Sequence, residues 1–204
     1  MKSKCSFQLA TFRTMLLILI WSYTITAAIP SMAQNVVRPE DVISAVRLNN
    51  IDAFDRMAGK LQLQQKNLTA QLVDIFKDAQ SPVLTKGAAA YCLGELRASE
   101  VVNVLALGIA LEINSVSNDH LTLLQGPIVM KALIKIGNPS IPAVMKNLAE
   151  SDDAKVRALS LQVIERIDKD KDISALRLQK AIKAETDAQK QARLQVALKA
   201  LSGA

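Results

Sequence analysis

Histidine, cysteine and aromatic side chains are scarce in this 204-residue chain, which holds one His, two Cys, one Trp, two Tyr and four Phe. A single imidazole leaves little for a His-based metal site, and two thiols cannot build a disulfide framework. Sugars and single-stranded nucleic acids are commonly held on stacked aromatic rings, so the shortage of rings argues against that class of ligand, and no nucleic acid is expected as a partner. With only 7 Gly and 6 Pro beside 50% apolar residues, a collagen-like or disordered chain is excluded. The length suits one ordinary domain or a short repeat array, either of which can bury a sizeable core.

Acidic residues are also missing from the start of the chain: none precedes Glu40. Lys2, Lys4 and Arg13 give a basic opening, and an apolar stretch from Met15 to Ala28 follows, diluted by Ser22, Tyr23, Thr24 and Thr26. Ser31 and Ala33 then put small residues where a signal peptidase reads them, three residues and one residue before a cut after Ala33. Basic, apolar and small residues in that order mark residues 1–33 as a signal peptide, and the mature protein is expected in the periplasm or outside the cell. An uncleaved anchor is the alternative, and only then would the chain contact a membrane. The apolar run is shorter than the roughly 20 residues a spanning helix needs, which favours cleavage. Cys5 comes too early for lipid attachment. Loss of Lys2, Lys4 and Arg13 leaves 22 basic against 19 acidic residues, a net charge of +3. Cys92 then stands alone, so a mature chain without a disulfide must hold itself together by packing.

From residue 34 onward the apolar residues recur with helical spacing. Val42, Ile43 and Val46 share a face; so do Ala53, Phe54, Met57, Ala58 and Leu61, then Leu68, Leu72, Ile75 and Phe76. Ile141, Met145 and Leu148, and Val156, Leu159, Val163, Ile164 and Ile167, repeat the pattern. No segment alternates with the period of two that a strand needs. Pro39 suits a first helical turn, with Glu40 and Asp41 favouring its positive end. Ser81-Pro82, Gly126-Pro127 and Gly137-Asn138-Pro139 each close one helix and open another, and Ser151-Asp152-Asp153 is a cluster of N-cap residues. The fold class is all-α, with about ten helices of ordinary length.

Aligning residues 93–105 with 133–145 without gaps superposes Leu93 on Leu133, Leu96 on Ile136, Val101 on Ile141 and Leu105 on Met145. Ile164 and Ile167 repeat the Leu133/Ile136 pair, and Leu198 and Leu201 repeat it again. Such spacing fits pairs of antiparallel helices stacked into an α-solenoid, because one amphipathic pair cannot hide its own apolar face. The segment from Gly108 to Gln125 behaves as an insertion that lengthens a helix and its loop. Residues 168–204, rich in Lys, Gln and Ala, read as two polar capping helices.

At Ala88 to Leu96, Ala132 to Pro142 and Asp152 to Leu159 the chain resembles the HEAT repeats, in particular the short bacterial form named after phycobilin lyases. The Gly-Asn-Pro-Ser-Ile-Pro turn at 137–142 and the Asp153-x-x-Val156-Arg157 opening carry the likeness, which covers residues 81–167. The resemblance implies an armadillo-like superhelix and a binding scaffold without catalysis. It also raises an alternative, an accessory subunit or lyase-like handler of a cofactor or chromophore. The lyases act on bilins of cytoplasmic antenna proteins, a substrate that does not suit an exported chain, and no bilin-handling residue carries over.

Other constellations are weaker. Asp168, Asp170 and Asp172 alternate as calcium ligands do, but Ile173 and Gln179 stand where such a loop needs Gly and Glu, so a turn with an N-cap at Asp172 is expected. His120 beside Asp119 has no recognisable nucleophile near it. Cys92 lies in an apolar helix and reads as a small buried hydrophobe. Glu95 and Glu165 read as surface carboxylates neighbouring Arg97 and Arg166. Asn67-Leu68-Thr69 is a formal glycosylation sequon, meaningful only in a eukaryotic secretory pathway. Lys131, Lys135, Lys146, Lys155 and Arg157 recur across the clearest repeats as a basic stripe, of which Lys131, Lys135 and Lys146 are the candidate partner-binding residues. The competing reading, which is the favoured one, is of ordinary solvated helix faces, with Arg157 bridging to Asp153 or a neighbouring carboxylate. The expectation is an exported, non-catalytic scaffold that binds a protein partner and carries no cofactor.

Overall fold

Helix follows helix wherever the apolar spacing calls for one. The computed structural model describes residues 37–48, 50–114 and 124–203. The signal segment 1–33 with its cleavage site, and His120 with Asn118 and Asp119, lie outside the described residues. Among the described residues nine α-helices run in chain order: α1 (Pro39–Arg47), α2 (Ile51–Lys77), α3 (Val83–Glu95), α4 (Val102–Leu107), α5 (Ile128–Ile136), α6 (Ile141–Glu150), α7 (Ala154–Asp168), α8 (Lys171–Ala184) and α9 (Ala188–Ser202). Short 3₁₀ turns, Ser99–Val101 and Asn138–Ser140, lead into α4 and α6. Among the described residues the protein is all-α.

The sequence writes the helix starts clearly. Pro39 opens α1 with Glu40 and Asp41 in its first turn. The carboxylates of Asp153, Asp170 and Asp187 accept hydrogen bonds from backbone N–H groups two residues on, which satisfies donors that have no partner within the helix. The cap of α8 is Asp170 and not Asp172, which lies in the first turn. Asp170 has the extended backbone an N-cap requires, and Asp172 is already helical.

The helices pack in two rows. In one, α1 lies on α3, α3 on α5 and α5 on α7; in the other, α4 lies on α6 and α6 on α9. Chain neighbours α3 and α2, α6 and α7, and α8 and α9 also pack on each other, and α8 touches α7 as well. The alternate order breaks at the end, where α9 takes the place beside α6 that α8 would hold in an unbroken series.

Apolar positions of both rows form one core. Val42, Leu93, Ile128, Val129, Leu133, Val163 and Ile164 are fully buried in the first row, and Leu105, Val144, Leu148 and Leu194 are buried in the second. Each such side chain contributes on the order of 1.5–3 kcal/mol by leaving water. Where α3 crosses α5, Gly94 lets the backbones meet, because a Cβ there would stand 2.8 Å from the Ala132 Cα.

The internal repeat has a structural counterpart. Leu93 and Leu133 are both inaccessible to solvent, Val101 and Ile141 are both buried, and each pair of helices is joined through a 3₁₀ turn. Arg97 and Gly137, which the same alignment superposes, both have positive φ, 49° and 87°. The insertion behaves differently from the sequence expectation. Helix α4 stops at Leu107 rather than lengthening, and residues 109–114 are not helical. Its ends are instead clamped by a reciprocal pair of hydrogen bonds, Ile113 N–H to Gly126 O at 3.1 Å and Gly126 N–H to Ile113 O at 3.0 Å.

Candidate functional site

Two concavities flank helix α6. The larger, about 630 Å³, lies between α4, α6 and the start of α7 and is lined by Asn103, Leu107, Lys146, Asn147, Glu150 and Val156, among others. Leu107 is 84% exposed, so a large aliphatic side chain stands in water at the edge of this groove. At this groove α6 is tied to α4: the Asn147 side-chain amide donates to Ala106 O at 2.8 Å, a carbonyl near the end of α4.

The second concavity, about 250 Å³, lies on the opposite flank of α6, against α7 and α9. Leu148, Leu161 and Ala197 make it apolar, Val196 stands two-thirds exposed beside it, and Arg157 and Arg193 line it with charge. Both arginines grip the turn between α6 and α7. Arg157 Nη1 donates to Ser151 O at 2.8 Å and to Asp152 O at 2.9 Å. From α9, Arg193 Nη1 donates to Glu150 O at 2.8 Å and Ala149 O at 3.3 Å, and Nη2 pairs with the Asp152 carboxylate. The last carbonyls of a helix lack partners within it and carry partial negative charge, so guanidinium groups suit this place. Nearby, Lys190 Nζ lies 2.8 Å from Glu150 Oε1. That hydrogen bond holds the Glu150 carboxyl below its ordinary pKa and raises Lys190.

The basic stripe is largely tied into the fold. Lys131 Nζ donates to Gln125 O at 2.6 Å, Lys135 pairs with Glu95 at 3.1 Å, Lys146 lies 3.8 Å from Glu150, and Lys155 pairs with Glu112 at 2.6 Å. Lys146 lines the larger groove, whereas Lys131 and Lys135 lie on α5 and line neither concavity. Arg157 holds backbone carbonyls rather than Asp153, whose carboxylate caps α7.

The remaining candidates resolve as structure. Asp168, its side chain 3% exposed, accepts Arg177 Nη2 at 2.8 Å on one oxygen, and Arg177 Nε at 3.2 Å and Ser174 Oγ at 3.1 Å on the other. This bidentate fork joins the end of α7 to α8 and uses the carboxylate fully. Cys92 is buried, and desolvation pushes its thiol pKa well up, so the thiolate nucleophile is suppressed. Thr69 of the sequon is 3% exposed, with its hydroxyl buried and unpartnered; among the described residues Ser160 is the other such hydroxyl, and neither lines the two concavities above. Among the described residues no cluster of three His, Cys, Asp or Glu side chains could hold a metal ion. In the same residues no single helix is long and apolar enough to cross a membrane.

Sequence reasoning missed Asn103, Leu107, Asn147, Glu150 and Arg193. Leu107 left a weak trace, an apolar residue at a helix end. Arg193 left none, because its partners lie more than forty residues away in the chain. Comparison with protein-family models, curated proteins and solved structures gives no match to this chain.

Proposed function

We propose that this chain is an exported HEAT-like α-solenoid, a non-catalytic scaffold that binds a protein partner in the cell envelope after removal of residues 1–33. The observation that carries the proposal is the alternate packing order, α1–α3–α5–α7 in one row and α4–α6–α9 in the other. Stacked pairs present successive helix ends and turns along one side, and such surfaces bind extended partners. The groove between α4 and α6 supports it further, since an exposed leucine beside amide and charged groups is the mix found at protein interfaces. Lys146 contributes charge at that groove, whereas Lys131 and Lys135 on α5, engaged by Gln125 O and Glu95, lie outside it and meet only a partner that extends beyond the groove. No nucleic acid and no cofactor enter this role.

A photo-crosslinking amino acid placed at Leu107, and in parallel at the exposed Gln162 of α7, tests it in the native envelope. One reproducible protein adduct from position 107, absent from position 162, is the expected outcome. Equal labelling at both positions, or none, refutes the groove as a partner surface. Sequencing the mature N-terminus tests export, with a start at Gln34 expected. The alternative, a handler of a cofactor or chromophore, has one observation in its favour: about 630 Å³ lies within the span of small-molecule sites. A coloured purified protein would decide for it.

A further inference from the structure

The smaller concavity beside α6 carries an inference that rests on the protein-binding proposal above and deepens it. Both hydrogen bonds of Arg157 leave from one terminal nitrogen, Nη1, and both go to neutral carbonyls. Among the described residues no carboxylate lies within ion-pair distance of this guanidinium, and its Nε–Nη2 edge has no protein acceptor. That edge is the one that grips a carboxylate through two parallel bonds. The side chain is half-buried and fixed by the turn it holds, so its fork is already oriented before anything binds. Arg193, held on Glu150 O and ion-paired with Asp152, lines the same wall and leaves Arg157 as its uncompensated cation. The floor is aliphatic, formed by Leu148, Leu161 and Ala197, with Val196 at the rim. A volume of about 250 Å³ falls short of the roughly 300–1,000 Å³ of ordinary small-molecule sites and suits one or two side chains of a peptide.

We propose that this pocket receives an anchor of the protein partner in which an aliphatic side chain is followed by a carboxylate, as in a Leu-Glu pair. The aliphatic group packs on Leu148, Leu161, Ala197 and Val196, and the carboxylate lies along the Nε–Nη2 edge of Arg157. Arg and a buried aliphatic contact together form the kind of centre that dominates interface energetics.

The test is an NMR titration of the isotope-labelled full protein with N-acetyl-Leu-Glu-amide, its isosteric N-acetyl-Leu-Gln-amide, and sodium hexanoate. Saturable shifts of the Arg157 Nε–Hε signal and of the Ala154, Ala158, Ala197 and Ala200 methyls are expected with the Glu peptide, at least fivefold weaker with the Gln analogue. Val196→Asp, at an exposed rim position that leaves the core intact, is expected to weaken the Glu peptide by a similar factor while circular dichroism stays unchanged. Equal binding of the Glu and Gln peptides, or shifts that avoid the pocket, overturns the proposal. Tighter saturation by hexanoate than by the peptide overturns it too, by assigning the pocket to a small free acid. If crosslinks from Leu107 capture a partner while this titration is silent, the anchor assignment alone fails; if both are silent, the scaffold role fails as well.

Discussion

Gly94 on α3 and Ala132 on α5 bring two neighbouring helices of the first row into backbone contact, where a Cβ on Gly94 would stand 2.8 Å from Ala132 Cα and 3.0 Å from its Cβ. The obstacle is backbone, so no rotamer change relieves it. Gly94→Ala is therefore expected to destabilise the fold by about 1–3 kcal/mol, although alanine is the better helix former. Urea unfolding followed by circular dichroism measures it, and an unchanged midpoint would show that α3 and α5 are further apart than described.

Equivalent places in consecutive helix pairs respond in opposite directions. Gly137→Ala forces a side chain into backbone that is nearly exclusive to glycine (φ 87°, ψ −143°) and is expected to cost about 1–3 kcal/mol. Arg97 already bears the left-handed strain, so Arg97→Gly is expected to be neutral or to stabilise by up to about 1 kcal/mol, after allowing for the greater freedom of glycine in the unfolded chain. Thermal unfolding of both variants checks the signs.

Asp168 and Arg177 make a pair in which only one partner is deeply buried, at 3% and 36% side-chain exposure. Arg177→Met strands the carboxylate. A cost of about 2–3 kcal/mol is expected, below the roughly 3–5 kcal/mol of a fully buried pair because Arg177 is partly solvated. Arg177→Met with Asp168→Leu is expected to recover part of that loss, a non-additivity that a double-mutant cycle in urea detects.

Glu150 gives a pH dependence on the acid side. Its carboxyl is held below the ordinary range, chiefly by the Lys190 hydrogen bond. A depressed folded pKa means that the stabilisation is present above the unfolded carboxyl pKa and is lost as pH falls through the folded value. Asp78 and Asp187, lowered mainly by backbone N–H donors, act in the same direction. Carbon-detected NMR titration of the Glu150 carboxyl is expected to show its pKa rise in Lys190→Met; an unchanged value would mean the contact is absent in solution.

The helices of this protein were legible because each reports itself locally. Leu68, Leu72 and Phe76, or Leu159, Val163 and Ile164, show their buried face by spacing alone, and all six are buried. Asp153 announced α7 because a cap is a contact over two residues. At α8 the same logic misplaced the cap by two positions, since Asp170 and Asp172 are chemically alike and only backbone geometry separates them. The candidate site was far less legible. Lys135 and Lys155 belong to the basic stripe by sequence, but their partners Glu95 and Glu112 lie about forty residues back, beyond any local pattern. Arg193 had the same disadvantage, and Leu107 reads as an ordinary core leucine until the helix ahead of the insertion is seen to stop there.

The return of α9 to α6 has a dynamic consequence. In a simple linear stack the terminal helix frays first and alone, because it touches only its predecessor. Here the last helix is fastened by Lys190 and Arg193 to a helix three places earlier, and α8 is enclosed between them in chain order. Amide protons of α8 and α9 should consequently exchange with solvent together, in one cooperative opening that also releases the α6–α7 turn, so α9 behaves as a latch on α6 rather than as a loose thread.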